Sequence, residues 1–338
     1  MIRLYSDLAQ GMGGSGRYKA TRNAWRHSVD KFLIVGVDTV AGANLALSLA
    51  EKYHVTTWHP EEKFDVVNCD ALDPTDSPCA AIENAAPDWV IYCGPESRSS
   101  WDPTTKGLIN ETIVENAGEW ANASTKANVR FLMISSDSLF TGPWMFHDEQ
   151  SLGHCQSVEA VTIRAAEEAV RLASPHALIM RTNAYGWSAD PSRNGWIENL
   201  LAEVEMRRVV EQDSIRHATP ILITDLTAII ERACLENLSG TYHVAGAERV
   251  SPLNFTQRLS DLFELPWLAI KKETTLTEVP QDFASGECSL QTKEIRKALC
   301  VAMPLLSEGL QRLHEQSVNG YRDKLVGNRN YKAISRVA

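Results

Sequence analysis

The chain has 338 residues, of which 44% are hydrophobic and 22% are charged, values that are ordinary for a soluble globular protein. This length suits one large domain or two coupled ones. The net charge of −10 argues against broad affinity for nucleic acid, because such binding needs Lys and Arg to neutralise phosphates. Residues 1–31 carry six Lys and Arg against two Asp, and residues 318–338 carry five against one. We expect these basic ends to be solvated, the alternative being that a tail docks onto the acidic body or a partner.

The cysteine pattern and the hydropathy limit the compartment and the class of protein. The seven cysteines are an odd count without a CxxC pair, which favours reduced thiols over a disulfide or zinc framework. No apolar run approaches the roughly 18 residues that a membrane span needs, and the N-terminus lacks the apolar core of a signal peptide. We therefore expect a cytoplasmic protein that binds no metal and no membrane.

A βαβ unit follows a first segment, residues 1–31, that contains GMGGSG and has no hydrophobic periodicity. The apolar run Phe32–Val35 is typical of a strand buried on both faces of a parallel sheet. Apolar residues from Ala43 to Ala50 recur at helical spacing, and His54–Trp58 has the composition of a second strand. The sequence therefore predicts a flexible extension followed by strand, turn, helix and strand.

The turn between the first strand and its helix contains Gly36, Thr39 and Gly42. This spacing matches GxxGxxG at the first and third positions. In dinucleotide-binding folds such a turn lets a pyrophosphate approach the backbone at the helix N-terminus. A threonine at the middle position narrows that approach, although its hydroxyl can also donate a hydrogen bond to a phosphate oxygen. The turn alone is equally compatible with a helix that packs closely on a sheet without a ligand.

Strands and helices alternate over the following segments. Further strands are predicted at 64–73, 88–94, 129–136 and 177–182, and helices at 108–123 and 157–173. The alternation predicts an α/β fold with a Rossmann-like doubly wound parallel sheet. Beyond residue 187 the regularity changes, which indicates a smaller C-terminal lobe. The predicted divisions are a flexible N-terminal extension (1–31), a Rossmann-like domain (32–187), a lobe interleaved with that domain (188–316) and a basic C-terminal tail (317–338).

Five segments beyond the first unit carry a more specific pattern. They are ISSDSLFTG at 134–142, the helix at 157–173 with its glutamates, MRTNAYG at 180–186, TP at 219–220 ahead of DL at 225–226, and GTYHVAG at 240–246. In order and spacing they resemble the extended short-chain dehydrogenase/reductase family, in particular its dTDP-4-dehydrorhamnose reductase (RmlD-like) branch, over roughly residues 32–315. The resemblance implies that the first domain binds NADP or NAD and that the C-terminal lobe is a substrate-binding lobe for a nucleotide-sugar.

The resemblance also assigns roles to single residues. It places Gly36, Thr39, Gly42 and Gly94 at the cofactor. Asp70 takes the position that commonly hydrogen-bonds adenine, although a solvated turn aspartate is the simpler interpretation. Ser136 matches the hydroxyl that holds a substrate carbonyl.

The general acid of the family is missing from the predicted helix. Family chemistry moves a hydride from NAD(P)H to a sugar ketone while a tyrosine protonates the oxygen, assisted by a lysine four residues later. Counted back from Glu168, Arg164 falls on the lysine position and Ala160 on the tyrosine position. Arg164 keeps a positive charge that can hold a ribose or phosphate, but a methyl group donates no proton. His154 and Cys155 are the titratable substitutes nearby, and a loop histidine and a half-buried thiol are the simpler interpretation.

The tip of the second strand leaves the choice of cofactor open. Residues 58–60, WHP, lack the acid that usually binds an unphosphorylated ribose 2′-hydroxyl. Either Glu61 or Glu62 substitutes, or His59 and Lys63 favour a 2′-phosphate, or no dinucleotide binds.

These features favour a catalytically impaired relative of dTDP-4-dehydrorhamnose reductase that binds NAD(P), a nucleotide-sugar or both. One alternative is an active NAD(P)H-dependent reductase of a 4-keto nucleotide-sugar with an unrecognised proton donor. The other is a regulatory or scaffold protein that binds a protein partner or forms a homodimer. The regulatory β subunit of methionine adenosyltransferase is a relative that shows such a role within the family.

Overall fold

The computed structural model describes residues 29–61, 66–190, 194–266, 270–272 and 282–326. Its strands are β1 (Lys31–Val35), β2 (His54–Trp58), β3 (Cys69–Ala71), β4 (Trp89–Tyr92), β5 (Arg130–Ser136), β6 (Leu178–Thr182), β7 (Ala184–Tyr185), β8 (Val210–Gln212), β9 (Ile221–Leu222), β10 (Gly240–His243) and β11 (Ile270–Lys272). Its α-helices are α1 (Val40–Leu49), α2 (Pro78–Ala85), α3 (Thr105–Leu108), α4 (Thr112–Lys126), α5 (Val158–Ala173), α6 (Trp196–Glu205), α7 (Ile223–Leu235), α8 (Pro252–Leu262), α9 (Lys293–Leu299), α10 (Leu306–Val318) and α11 (Tyr321–Val326). A 3₁₀ turn covers Pro95–Ser97.

Seven parallel strands form the central sheet, in the order β10-β6-β5-β4-β1-β2-β3. The order reverses direction at β1, since β2 and β3 extend to one side and β4, β5 and β6 to the other. The α/β fold with a Rossmann-like doubly wound parallel sheet is therefore confirmed. In such sheets ligands bind outside the carboxyl ends of the strands, next to the point where the order reverses.

The two faces of the sheet carry separate hydrophobic clusters, because successive strand side chains point to opposite sides. Phe32 and Ile34 of β1 face the cluster that includes α1, α7 and α10. Leu33 and Val35 face the cluster that includes α2, α4 and α5. The continuous apolar run of β1 is thus explained by burial on both faces.

The helix predicted at 157–173 forms as α5, and its start is set by a side-chain cap. The Ser157 hydroxyl accepts a hydrogen bond from the Ala160 amide at 3.2 Å. This bond satisfies one of the amides that the first helical turn leaves without an intrahelical partner.

The segment after residue 187 contributes a strand to the central sheet. The strand β10 pairs with β6 at the edge of the central sheet. Two small parallel pairs, β7 with β9 and β8 with β11, lie outside that sheet. Between the TP and DL segments, β9 covers only Ile221–Leu222, because α7 begins at Ile223 and includes Asp225 in its first turn.

The C-terminal tail begins later than predicted. The helix α10 runs to Val318, and α11 covers Tyr321–Val326 with Leu325 and Val326 buried. The Tyr321 hydroxyl donates to Asn44 Oδ1 of α1 at 2.8 Å. Apolar burial and this hydrogen bond hold residues that charge alone assigned to a solvated tail.

Three further observations concern the described part of the chain. None of its helices is both long and apolar enough to cross a lipid bilayer. All seven cysteines are free thiols. No group of three or more His, Cys, Asp or Glu side chains is arranged there to hold a metal ion. The predicted N-terminal extension lies outside the described residues except for 29–31.

Candidate functional site

A cavity of about 730 Å³ lies beside the carboxyl ends of β1, β2 and β4. The first turn contributes Asp38 and Val40, the end of β2 contributes His59, and the loop after β4 contributes Arg98 and Trp101. The lobe contributes the opposite wall, which includes Trp196, Asn199, Leu200, Glu203, Arg216, Phe255 and Thr256. This volume lies within the range of small-molecule sites, and the location is the one where open α/β sheets bind ligands.

The glycine turn shapes one end of this cavity. Gly36 has φ of +84°, and a Cβ there would overlap the Cys93 carbonyl of β4's extension, while a Cβ on Gly42 would overlap the Gly36 carbonyl. The two glycines therefore allow α1 to start directly against the sheet. Val40, the first residue of α1, lines the cavity. The N-terminal end of the helix thus faces the space where an anionic group is favoured.

Thr39 does not narrow the turn in the predicted way. Its hydroxyl donates to the Gly36 carbonyl at 2.8 Å and accepts from the Gly42 amide at 2.9 Å. The side chain is buried and caps α1. In this structure the hydroxyl proton is used inside the turn, so donation from Thr39 to a phosphate would require the bond to Gly36 to break.

A cluster of three charged or titratable side chains lines the mouth of the turn. Asp38 Oδ2 lies 3.0 Å from Arg98 Nη2, and Asp38 Oδ1 lies 3.5 Å from His59 Nε2. All three residues line the cavity. The cluster joins the carboxyl ends of β1, β2 and β4 by side chains.

Aromatic rings form the part of the wall where the first domain meets the lobe. Trp101 lies 6.4 Å from Trp196 and 5.6 Å from Phe255 between ring centroids, both in edge-to-face geometry. Trp196 and Phe255 are 5.6 Å apart. Such rings provide rigid apolar area at little conformational cost, which suits a wall against a base or a sugar ring.

Ser136, the predicted substrate-binding hydroxyl, does not line this cavity. It is buried at the end of β5, where its Oγ lies 2.8 Å from Ser138 Oγ and accepts from the Ser138 amide at 3.1 Å. Among the described residues, no tyrosine is hydrogen-bonded to Ser136. The polar atoms of this serine are thus satisfied by its neighbour two residues on.

Two buried carboxyl groups lie near the same strand ends, and in the described structure neither has a hydrogen bond of normal geometry. They are Glu96 in the 3₁₀ turn after β4 and Asp137 after β5, and both are fully buried. Burial raises the pKa of Glu96 to about 8. Burial also raises the pKa of Asp137 to about 7, which nearby Ser100 and Asn183 oppose only in part. Gly94 makes room for the Glu96 carboxyl, since a Cβ on Gly94 would lie 2.5 Å from Glu96 Oε2.

The glutamate of α5 that belongs to the core is Glu167. Arg181 of β6 donates to it through Nε at 2.9 Å and Nη2 at 2.7 Å, and the Ser135 hydroxyl donates at 2.7 Å. Although burial raises the pKa of Glu167, the Arg181 charge and these hydrogen bonds together lower it. Glu168 instead forms a surface ion pair with Arg171.

The Glu167–Arg181 contact affects the alignment of α5 with the family, because the lysine and tyrosine positions were counted back from a glutamate of this helix. Glu168 places Ala160 and Arg164 at the two family positions, whereas Glu167, which pairs with the Arg of the Arg-Thr strand, places Glu159 and Ile163 there. Neither register supplies a tyrosine or a lysine. Ala160 is buried, and Arg164 donates to the Cys155 carbonyl at 2.7 Å and does not line the cavity.

The remaining predicted residues are also apart from the cavity. Asp70 lies on the edge strand β3, with its carboxylate 3.2 Å from His54 Nε2. The described cavity wall includes neither Asp70 nor His154 nor Cys155. His59 and Glu61 line it, whereas Glu62 and Lys63 lie outside the described residues.

Comparison with known proteins identifies the class. The family model of the RmlD substrate binding domain matches residues 30–318, so the chain belongs to this family. Dinucleotide-dependent sugar enzymes share the fold. The dTDP-4-dehydrorhamnose reductase of Bacillus anthracis in complex with NADP matches with a TM-score of 0.68 at 17% identity, covering 85% of this chain and 99% of that one.

Two other relatives widen the comparison. The dTDP-glucose 4,6-dehydratase of the same organism, in complex with NAD, matches with a TM-score of 0.67 at 12% identity over 86% of this chain and 98% of that one. Methionine adenosyltransferase 2 subunit beta of Xenopus laevis is 22% identical over 196 residues, which are 55% of this chain and 58% of that protein. The chain thus matches little more than half the length of that relative.

The residues present fit a dinucleotide, the cofactor class that the family implies. Val40, the first residue of α1, and Asp38 of the turn line the cavity, whereas the predicted cofactor residues Gly36, Thr39, Gly42 and Gly94 lie behind them and are not part of its wall. Sequence reasoning missed Asp38 and Arg98 at this end. The available signal was that each follows a buried strand, and that the carboxyl ends of parallel strands meet at one edge of the sheet.

Proposed function

We propose that this protein binds NAD(P), a nucleotide-sugar or both in the cleft between the sheet and the lobe, and that it is impaired in the family's reduction chemistry. The observation that carries the proposal is the separation of two features. The cavity opens at the glycine turn, whereas Ser136 and Arg164 lie outside it and bond to their own chain.

The chain's own groups account for binding. The amide end of α1 favours a phosphate beside Val40. The rings of Trp101, Trp196 and Phe255 offer apolar area to a base or sugar. A bound NAD(P)H would supply a hydride. The protein would then have to supply a proton donor, and α5 carries no phenol at the family position in either register.

A titration of the purified full-length protein tests the binding half of the proposal. We expect NADH or NADPH to raise the unfolding temperature and to show a fluorescence change that saturates. At a ligand concentration of 100 times Kd the free energy of unfolding should rise by about 2.7 kcal/mol. Val40→Asp should weaken binding, because its carboxylate repels phosphates, yet should keep the fold because an acid is favoured in the first helical turn. Val40→Thr is the matched uncharged control.

The chemical half is tested by NAD(P)H oxidation with a 4-keto nucleotide-sugar. General acid catalysis is typically worth a factor of about 10² to 10⁴ in rate, so we expect turnover to be slower by that order than in an active reductase. Turnover at the rate of an active reductase would support the alternative of a functional enzyme with another donor. Binding of neither cofactor nor a nucleotide-sugar would overturn the proposal as a whole.

A second candidate function is regulation of a protein partner, favoured by the match to methionine adenosyltransferase 2 subunit beta. Light scattering of this protein mixed with a methionine adenosyltransferase catalytic subunit tests it. A complex of defined mass supports the regulatory role, and two separate species argue against that partner.

A further inference from the structure

The residues at the tip of β2 include no acid, but the carboxylate of Asp38 lies next to them in the structure. Dinucleotide folds commonly place an Asp or Glu at this tip to bind the ribose 2′-hydroxyl. Here the tip is Trp58-His59-Pro60. Asp38, which belongs to the first turn, brings its Oδ1 to 3.5 Å from His59 Nε2 and faces the same cavity.

We propose that Asp38 determines which dinucleotide the cleft accepts, selecting one with a free ribose 2′-hydroxyl (NAD-type) over its 2′-phosphorylated counterpart (NADP-type). This inference rests on the proposed function and deepens it by naming the cofactor class. A carboxylate accepts hydrogen bonds from a hydroxyl pair on a ribose. The same carboxylate repels a phosphate group that carries up to two negative charges.

Arg98 and His59 make the selection depend on Asp38. Both side chains suit a 2′-phosphate, since a guanidinium binds phosphate oxygens bidentately. In this structure Arg98 Nη2 is 3.0 Å from Asp38 Oδ2, so its charge is directed at the carboxylate. The Arg98 side chain is 23% exposed, and a partly buried charge is screened less by salt than an exposed one.

Arg98 can therefore pair either with the Asp38 carboxylate or with a phosphate of the ligand. With Asp38 present, the two basic groups are paired with an internal carboxylate. Without that charge, the Arg98 guanidinium attracts a ligand phosphate, and the His59 ring offers it a further polar contact. The fold does not decide between the cofactors, since its solved neighbours include both an NADP and an NAD complex.

The test is the ratio of dissociation constants for NADPH and NADH, measured by fluorescence titration on the full-length protein. We expect the wild type to bind NADH at least tenfold more tightly than NADPH. Asp38→Asn should tighten NADPH binding about tenfold and weaken NADH binding. The double variant Asp38→Asn/Arg98→Ala should lose the gain for NADPH. Glu83→Gln, which removes one negative charge on the exposed face of α2 outside the cavity, should leave the ratio unchanged.

The outcomes separate this inference from the proposed function. NADPH binding to the wild type as tightly as NADH would overturn the role of Asp38 while leaving a dinucleotide site in place. An unchanged ratio of dissociation constants in an Asp38→Asn variant that unfolds at the wild-type temperature would also overturn the role of Asp38. The wild-type ratio tests the proposal even if that variant does not fold. Binding of neither dinucleotide to the wild type would remove both proposals for the cofactor.

Discussion

The carboxyl edge of the sheet is open in one half and closed in the other. At β1, β2 and β4 it borders a cavity of about 730 Å³ lined by Asp38, Arg98 and aromatic rings. At β5 and β6 the side chains are buried, and two contacts join them to neighbouring residues, Ser136 to Ser138 and Glu167 to Arg181. The open half retains the features of a binding site, whereas the closed half, where the family resemblance places the chemistry, is part of the packed interior.

We therefore expect the closed half to contribute to stability and the open half to contribute to ligand binding. Substitutions in the closed half should change stability and leave ligand affinity intact. Substitutions of the turn glycines should change both, because these glycines are packing contacts that position Asp38 and Val40 in the cavity wall.

The largest expected effect comes from the buried ion pair of the closed half. Glu167→Ala leaves Arg181 buried without its partner, which should lower the free energy of unfolding by about 3–5 kcal/mol. Urea unfolding measures the loss. Glu168→Ala, one residue away on the surface, should cost at most about 1 kcal/mol. Equal losses in the two variants would contradict the assignment of Glu167 to the core.

A smaller loss is expected in the open half from Gly42→Ala. The added Cβ would overlap the Gly36 carbonyl, and such overpacking typically costs about 1–3 kcal/mol. NADH or NADPH affinity should fall with stability, since the start of α1 must shift. Gly107→Ala, where a Cβ meets nothing within 4 Å, is the control and should not destabilise the protein. A stable Gly42→Ala protein with full affinity would show that the turn does not shape the site.

The buried carboxyl Glu96 gives a pH-dependent prediction. Its pKa is raised from 4.5 to about 8, so between these values the folded state holds a proton that the unfolded state has released. Stability should therefore fall as pH rises through this window, by up to about 1.4 kcal/mol per pH unit for this group. Glu96→Gln should remove that slope, leaving the similar contribution of Asp137 up to about pH 7.

Unfolding curves from pH 5 to pH 8 check this result. The advantage of Glu96→Gln over the wild type should grow with pH. The free energy of unfolding of Glu83→Gln, a change at an exposed residue, should depend on pH in the same way as that of the wild type. A constant difference between Glu96→Gln and the wild type would mean that Glu96 is ionised in the folded protein.

The sequence was sufficient for the fold because the fold depends on local patterns. The apolar run Phe32–Val35 and the helical spacing in α5 arise from burial of one or two faces, and periodicity records burial directly. The RmlD-like resemblance was confirmed for the same reason, since its motifs mark the ends of strands and helices in order.

The site could be predicted only in part, because its contacts join distant segments. Asp38 and Arg98 are 60 residues apart in the chain and meet only because β1 and β4 are neighbours in the sheet. The adjacent acids Glu167 and Glu168 cannot be told apart by spacing, and only their burial shows which one pairs with Arg181. Asp70 matched a motif position, yet its place on an edge strand carries it away from the cavity.

The smallest expected effect separates the two halves most directly. Ser136→Ala removes the hydrogen bonds to the hydroxyl and the amide of Ser138 and should cost about 1–2 kcal/mol of stability. Ser138→Ala removes only the bond between the two hydroxyls and should cost less, because the Ser138 amide keeps Ser136 Oγ as its acceptor. Affinity for NADH and NADPH should stay unchanged in both variants, because Ser136 does not line the cavity. A tenfold loss of cofactor affinity or of any NAD(P)H oxidation in Ser136→Ala alone would place this hydroxyl in a working site and show that the closed half opens in solution.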